Sequence, residues 1–181
     1  MIIFLDMDGV LVDFNTGAYK VHKLTEEVVR KAMPPGGGFW NNYLPLSDEE
    51  FNQPLKDKFW LELEKTKWAE DIIELAEQYV GQKNICLLTA PTKYNATGKI
   101  KWIQKHYPQY SKQFYVGPNK YYCSSPLKIL IDDHEFNIKA FEKGGGKGIL
   151  FPAYCNRLYR KEKDPIPYVR KRLNNLIKLI I

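Results

Sequence analysis

Two pairs of carboxylates punctuate this 181-residue chain: Asp6 and Asp8 in MIIFLDMDGVLV, and Asp132 and Asp133 in KILIDD. Each pair follows a short apolar run, residues 2–5 in the first case and 129–131 in the second. Runs that are apolar on both sides of the pleat read as strands buried on both faces, as in the middle of a parallel sheet. Side chains two apart on an extended segment project the same way, so Asp6 and Asp8 can aim at one point. In open α/β sheets that point, beyond the carboxyl end of a central strand, is where ligands bind. Gly9 lets the backbone turn sharply there. A polar turn would account for one such run, since Asp and Gly are ordinary turn residues. It does not account for two. Four converging carboxylates repel strongly unless a divalent cation and a lysine join them.

The elements that must position these groups alternate along the chain. Strands are expected over 2–5, 84–89, 113–116, 127–132 and 147–151, and helices over 68–80, 95–107, 135–143 and 165–181. That alternation predicts an α/β fold with a central parallel sheet. In the last helix Val169, Leu173, Leu176, Ile177 and Ile180 form one apolar stripe, read as core packing rather than a membrane anchor. The interval 15–66 breaks the pattern. It holds helical periodicity over 15–33, a break at Pro34, Pro35 and glycines 36–38, and a capping box at Ser47 and Glu50 opening a helix over 48–58. It reads as a helical cap inserted into a core made of 1–14 and 67–181.

Composition narrows the class. At 44% hydrophobic the chain can bury one sizeable core. No apolar stretch is long enough to span a bilayer, and Asp6 arrives before a signal peptide's apolar region could form. Cys86, Cys123 and Cys155 are odd in number and widely spaced, which argues against a disulfide framework or a zinc site and for a reducing cytosol. The net charge of +6 suits an anionic substrate. The basic cluster 157–163 carries interleaved acids, so ordinary solvated surface is favoured over a nucleic-acid patch.

DMDGVLVDF (6–14), GGFW (37–40), FWLELE (59–64), LLTAPTKY (87–94), LIDD (130–133) and GILF (148–151) occur in that order. Together they resemble the haloacid-dehalogenase-like phosphohydrolases, and within them the 5'(3')-deoxyribonucleotidases. The resemblance covers most of the chain. It implies a Rossmann-like core with a small helical cap, and a cytoplasmic, Mg²⁺-dependent phosphatase acting on a mononucleotide. A homodimer is compatible with it.

By that resemblance Asp6 is the nucleophile that forms an aspartyl-phosphate, and Asp8 protonates the leaving oxygen and later activates water. Mg²⁺ would be held by Asp6, the carbonyl of Asp8 and Asp132, with Asp133 ordering the shell around it. Thr89 ends the second strand, so its hydroxyl and the amide of Ala90 can donate to phosphate, although Thr is also simply a good strand former. Lys93 is an extra phosphate contact or a solvated lysine. The phosphate-clamping lysine is Lys120 or Lys128. Lys128 starts the strand that ends on Asp132, and a side chain of ~6 Å does not span four residues at ~3.3 Å each, which selects Lys120. Gly9, Phe14, Phe39, Trp40 and Asn41 complete the expected substrate site. Phe39 and Trp40 would lie against the base or else pack the cap. Asn41 stands where the relatives carry an apolar residue, so base preference does not transfer. His134, where Arg is frequent, is either a turn residue or a contact. Three alternatives remain: another small phosphoester, a polynucleotide 3' end, or a binding module that kept the fold and lost the reaction.

Overall fold

The computed structural model describes residues 1–178; Ile180 of the expected apolar stripe lies outside them. Five strands form one all-parallel sheet: β1 (Ile2–Leu5), β2 (Ile85–Thr89), β3 (Phe114–Val116), β4 (Lys128–Asp132) and β5 (Lys147–Leu150), in the order β3-β2-β1-β4-β5. The α/β expectation holds, and each strand starts or stops within one residue of its expected bounds. Alternate residues serve opposite faces. Ile3, Leu5, Leu87, Ile129 and Ile131 pack on one side with α5 (Ala69–Val80), α6 (Ala96–His106) and α8 (Ile166–Lys178). Phe4, Cys86, Leu88 and Leu130 pack on the other with α7 (Glu135–Lys143).

The sheet order positions the site. The chain leaves β1 towards β2 on one side and comes back to β4 on the other, so β1 lies at a topological switch point. The register pairs Leu5 with both Leu87 and Ile131. Asp6, one residue on, is therefore flanked by the ends of β2 and β4, which carry Thr89 and Asp132.

The segment between β1 and α5 holds four short helices and no named strand: α1 (Phe14–Val21), α2 (Glu26–Ala32), α3 (Asp48–Asn52) and α4 (Asp57–Glu62). The helix expected over 15–33 is thus two helices, broken where Lys23 takes a left-handed conformation at φ 55°. The helix expected over 48–58 is also two, separated around Pro54, which cannot extend a helix from within. The capping box at Ser47 and Glu50 forms as expected.

Helix α4 packs tightly against α6. The Gly98 amide donates to Asp57 Oδ1 at 2.6 Å, and Trp102 Nε1 donates to the Leu63 carbonyl at 2.8 Å. A Cβ at Gly98 would lie 2.5 Å from the Asp57 carbonyl oxygen and 2.9 Å from Trp60 Cβ. On an exposed helix Gly→Ala stabilises by about 1 kcal/mol. At position 98 overpacking reverses the sign: Gly98→Ala should cost about 1–3 kcal/mol, read as a lowered urea midpoint. A midpoint at or above wild type would show that α4 is not held there.

Candidate active site

Asp6, Asp132 and Asp133 are all buried, and an oxygen from each lies within 4.8 Å of the others. Two buried lysines answer them. Lys120 sits in a short 3-10 turn, Lys120–Cys123, and its ammonium contacts Asp6 and lies 2.6 Å from Asp132 Oδ2. Lys99, in the first turn of α6, donates to both oxygens of Asp8 at 2.9 and 2.7 Å and to Thr89 Oγ1 at 2.8 Å. Its ammonium also lies 3.9 Å from the centre of the Trp60 ring, a cation–π contact.

Each carboxylate is held differently. Asp132 accepts the His134 amide at 2.8 Å and the Asn137 side-chain amide at 3.2 and 3.0 Å, which fixes its plane. Asp133 lies against Gly9. There φ is +77°, and a Cβ would come within 2.5 Å of Asp133 Oδ2, so only glycine fits on both counts. Asp8 is the most open of the four, with its side chain one-third exposed.

The electrostatics are unbalanced: four carboxylates face two ammonium groups. Burial pushes the Asp6 carboxyl up to about 7, with Asp132 and Asp8 adding to the effect and Lys120 opposing it. Burial, then Asp6 and Asp132, holds Asp133 well above the usual carboxylate range. Burial alone would lower Lys120, but Asp132 and Asp6 outweigh it and keep it firmly charged. Lys99 is lowered by burial, only partly offset by Asp8. A dication suits this donor set. Its charge matches the excess, its preferred ligands are oxygens, and ~4.2 Å separates opposite oxygens around Mg²⁺.

The site opens into a cavity of about 320 Å³. Its floor comes from the sheet ends and the Lys120 turn: Asp6, Asp8, Ala90 and Lys120. Its roof comes from the helical segment: Phe14, Phe39, Asn41, Phe51 and Asn52. Phe39 stacks on His134 with ring centres 4.6 Å apart, joining roof to wall.

Most of the expected site residues meet here. Asp6, Asp8, Asp132, Asp133, Thr89 and Lys120 converge, and Ala90, Phe14, Phe39 and Asn41 line the cavity. Lys128 lies at the start of β4 with its ammonium 5.8 Å from the Phe4 ring, away from the carboxylates. Four placements differ from expectation. Asp133 groups with the oxygens that could ligate an ion, not behind them. Trp40 is buried in the helical segment among Tyr19, His22 and Phe51, its Nε1 bonded to Asn15 Oδ1 at 3.0 Å. Adjacent residues at the start of a 3-10 turn diverge, so Phe39 reaches the cavity beside the carboxylates and Trp40 does not. Lys93 is exposed and paired with Glu49 at 2.7 Å. Gly9 supports Asp133 and borders a second cavity of about 420 Å³, which shares Phe39 and Asp133 with the first.

Lys99 is the residue that sequence reading missed. A signal existed: Gly98, Lys99, Trp102 and Ile103 form the buried stripe of α6, so one lysine sits on the apolar face while Lys101 and Lys105 do not.

The folded Asp6 carboxyl holds its proton more tightly than an unfolded one. Its contribution to stability is therefore full below the ordinary carboxylate range and is lost as pH rises to about 7. In chelator, wild type should lose melting temperature across that window while Asp6→Asn loses less, and Mg²⁺ should restore wild type near neutrality. Parallel melting curves for the two proteins from pH 4 to 7 would contradict this.

No family model matches the sequence. The chain is 27% identical over 186 residues to the mitochondrial 5'(3')-deoxyribonucleotidase of Mus musculus, covering 96% of this chain and 80% of that one. Among solved structures, a predicted phosphatase from Clostridium acetobutylicum superposes with a TM-score of 0.61 at 17% identity, over 96% and 97% of the two chains. A haloacid-dehalogenase-like protein from Agrobacterium tumefaciens gives 0.57 at 14% identity over 96% and 98%. A haloacid-dehalogenase-like hydrolase from Streptococcus pneumoniae gives 0.56 at 17% identity over 92% and 95%. The chain has the haloacid-dehalogenase-like fold, and its sequence resembles a 5'(3')-deoxyribonucleotidase.

Proposed function

We propose that this protein is a Mg²⁺-dependent phosphomonoesterase that releases phosphate from nucleoside monophosphates, deoxyribonucleotides in particular, through an aspartyl-phosphate. The observation that carries this reading is the excess of buried carboxylate over lysine at the floor of a cavity roofed by phenylalanines and amides. A phosphate dianion needs cationic and N–H or O–H donors, and a nucleoside needs flat apolar faces beside polar groups. The likeness to a deoxyribonucleotidase supports the nucleotide part. The small cavity favours a mononucleotide over a polymer. In this reading residues 15–66 are the cap, and 1–14 with 67–181 are the catalytic core. Free cysteines at positions 86, 123 and 155 support a reducing, cytosolic setting.

The chain's own groups account for the proton and phosphoryl movements. Asp6 attacks phosphorus, the P–O ester bond breaks, and the leaving oxygen takes its proton from Asp8. Water then loses a proton to Asp8 and attacks the phosphoryl group on Asp6, freeing phosphate and restoring the carboxylate. Lys120 offers charge to the phosphoryl oxygens. Lysine donates and cannot accept, so Thr89 Oγ1 receives the Lys99 bond and keeps its own hydrogen free for the substrate. Lys99 orients Asp8 and Thr89 together. Mg²⁺ held by Asp6, Asp132, Asp133 and the carbonyl of Asp8 would supply charge neutralisation and a template for the phosphate.

Asp6→Asn should lower phosphate release from deoxynucleoside monophosphates by at least about 10⁴-fold while leaving nucleotide binding measurable by calorimetry. Undiminished turnover in that variant would remove the nucleophile assignment. Lys99→Met should lower kcat by about 10²–10³-fold with little change in KM, because Lys99 touches Asp8 and Thr89 rather than the open cavity. A change confined to KM would instead make Lys99 a substrate contact.

A further inference from the structure

Lys99 reaches the carboxylates from the apolar stripe of α6, and an aromatic ring meets it there. Its Nζ lies 3.9 Å from the centre of the Trp60 ring. Lys99 and Trp60 are each 1% exposed, so the contact is out of water. A lysine ammonium has three N–H donors. The two Asp8 oxygens, at 2.9 and 2.7 Å, belong to one carboxylate and lie too close together to take two tetrahedral N–H directions squarely. Asp8 therefore uses one N–H, and Thr89 Oγ1 at 2.8 Å uses another. No other acceptor among the described residues bonds Lys99, which leaves the third for the indole face.

The ring is brought there by close helix packing. Residue 98 is glycine, and a Cβ at that position would lie 2.9 Å from Trp60 Cβ. The Gly98 amide bonds Asp57 Oδ1 at 2.6 Å, so α4 and α6 are pinned one turn before Trp60 and one residue before Lys99. Phe14 stacks on the ring with centres 5.5 Å apart and planes at 21°, and Phe59 meets it edge-on at 5.8 Å. Neither Trp60 nor Lys99 lines the cavity beside the carboxylates.

Packing alone gives no reason for an indole at position 60. No acceptor among the described residues meets Trp60 Nε1. A buried N–H without a partner costs free energy that phenylalanine would not. What an indole offers over other aromatic side chains is the strongest attraction for a cation above its face. That attraction has a use here. Asp8 is one-third exposed and faces the cavity. An ammonium bonded only to Asp8 and Thr89 could follow the carboxylate outward, and the ring gives it a third point of attachment on the protein side.

Resting on the role given to Lys99 above, we propose that Trp60 is a positioning residue for phosphoryl transfer: its indole face anchors the Lys99 ammonium, and through it the Asp8 carboxyl that protonates the leaving oxygen. The segment between β1 and α5 then does more than roof the cavity, because its last helix steadies the proton donor.

The test varies the face and keeps the shape. Position 60 receives mono-, di- and tetrafluorotryptophan by amber-codon suppression. Fluorine withdraws electrons from the ring face and barely changes its size. Nε1 bonds no protein acceptor among the described residues, so a more acidic N–H alters no hydrogen bond there. The readout is kcat/KM, which reports the step that breaks the ester bond. With dCMP it should fall stepwise, to about a tenth of wild type for the tetrafluoro ring, at an unchanged melting temperature. With p-nitrophenyl phosphate it should fall less, because a phenolate leaves without a proton from Asp8. Trp60→Phe, with a weaker face, should lie between wild type and Trp60→Leu, which has none. Should Trp60→Leu fail to fold, the fluorinated series decides alone. A flat series, or equal losses on both substrates, would overturn the proposal while leaving the phosphatase. Wild type that releases no phosphate from dCMP would instead remove the reading beneath it.

Discussion

The structure depends on an unresolved charge. Asp6, Asp8, Asp132 and Asp133 meet at one end of the sheet, and among the described residues only Lys99 and Lys120 answer them from within. Burying carboxylates costs several kcal/mol each unless they are paired. Two pairs are made here and two negative charges are left over. Burial first, and the neighbouring carboxylates with it, displaces Asp6 and Asp133 upward. A folded protein tolerates the leftover charge only if the site receives protons or a cation. A site that must take up positive charge, beside a cavity open to solutes, is suited to binding a dication and then a phosphate.

The rest of the fold explains how the imbalance can be built and kept. Strand β1 is paired with β4 along the whole of its length, up to Leu5 opposite Ile131, so Asp6 and Asp132, each the next residue on, are delivered side by side with little freedom. Each lysine arrives from a different element: Lys120 from the turn after β3, Lys99 from the helix after β2. The helical segment closes over the result along a seam of contacts that joins it to the sheet domain. Arg30 pairs with Glu162 at 2.9 Å, and Glu49 with Lys93 at 2.7 Å. Gly36 and Gly38 donate backbone bonds to Tyr154 and Cys155 at 2.9 and 2.8 Å. Phe39 meets His134 between them. The Glu49–Lys93 pair is exposed and such pairs are individually weak, while Arg30–Glu162 is half-buried, so the roof is held by several contacts rather than one.

Much of this was legible from residue order. The acidic strand ends could be read because two rules act together: buried strands are apolar throughout, and side chains two apart share a direction. Lys120 could be selected over Lys128 by length alone, since one strand is longer than a lysine. The misreadings come from places where direction is set locally. Phe39 and Trp40 are neighbours in sequence, yet the 3-10 turn sends one to the cavity and the other into the helical core. Lys93 sits four residues beyond Thr89 as expected, but Glu49 from a distant helix takes its ammonium. The two long helices expected before residue 60 are each two short ones, because Lys23 and Pro54 interrupt periodicity that otherwise continues. Lys99 was hidden among 27 basic residues, although its place on the apolar stripe of α6 set it apart.

The account stands on Asp6 being the carboxylate that is transiently esterified. Acid quench during turnover of dCMP with Mg²⁺, followed by peptide mass mapping, reads this directly. A phosphoryl group on the peptide containing Asp6, disappearing once substrate is exhausted, is the result the account predicts. Steady turnover with no phosphoryl adduct there, or with the adduct on another residue, would contradict it.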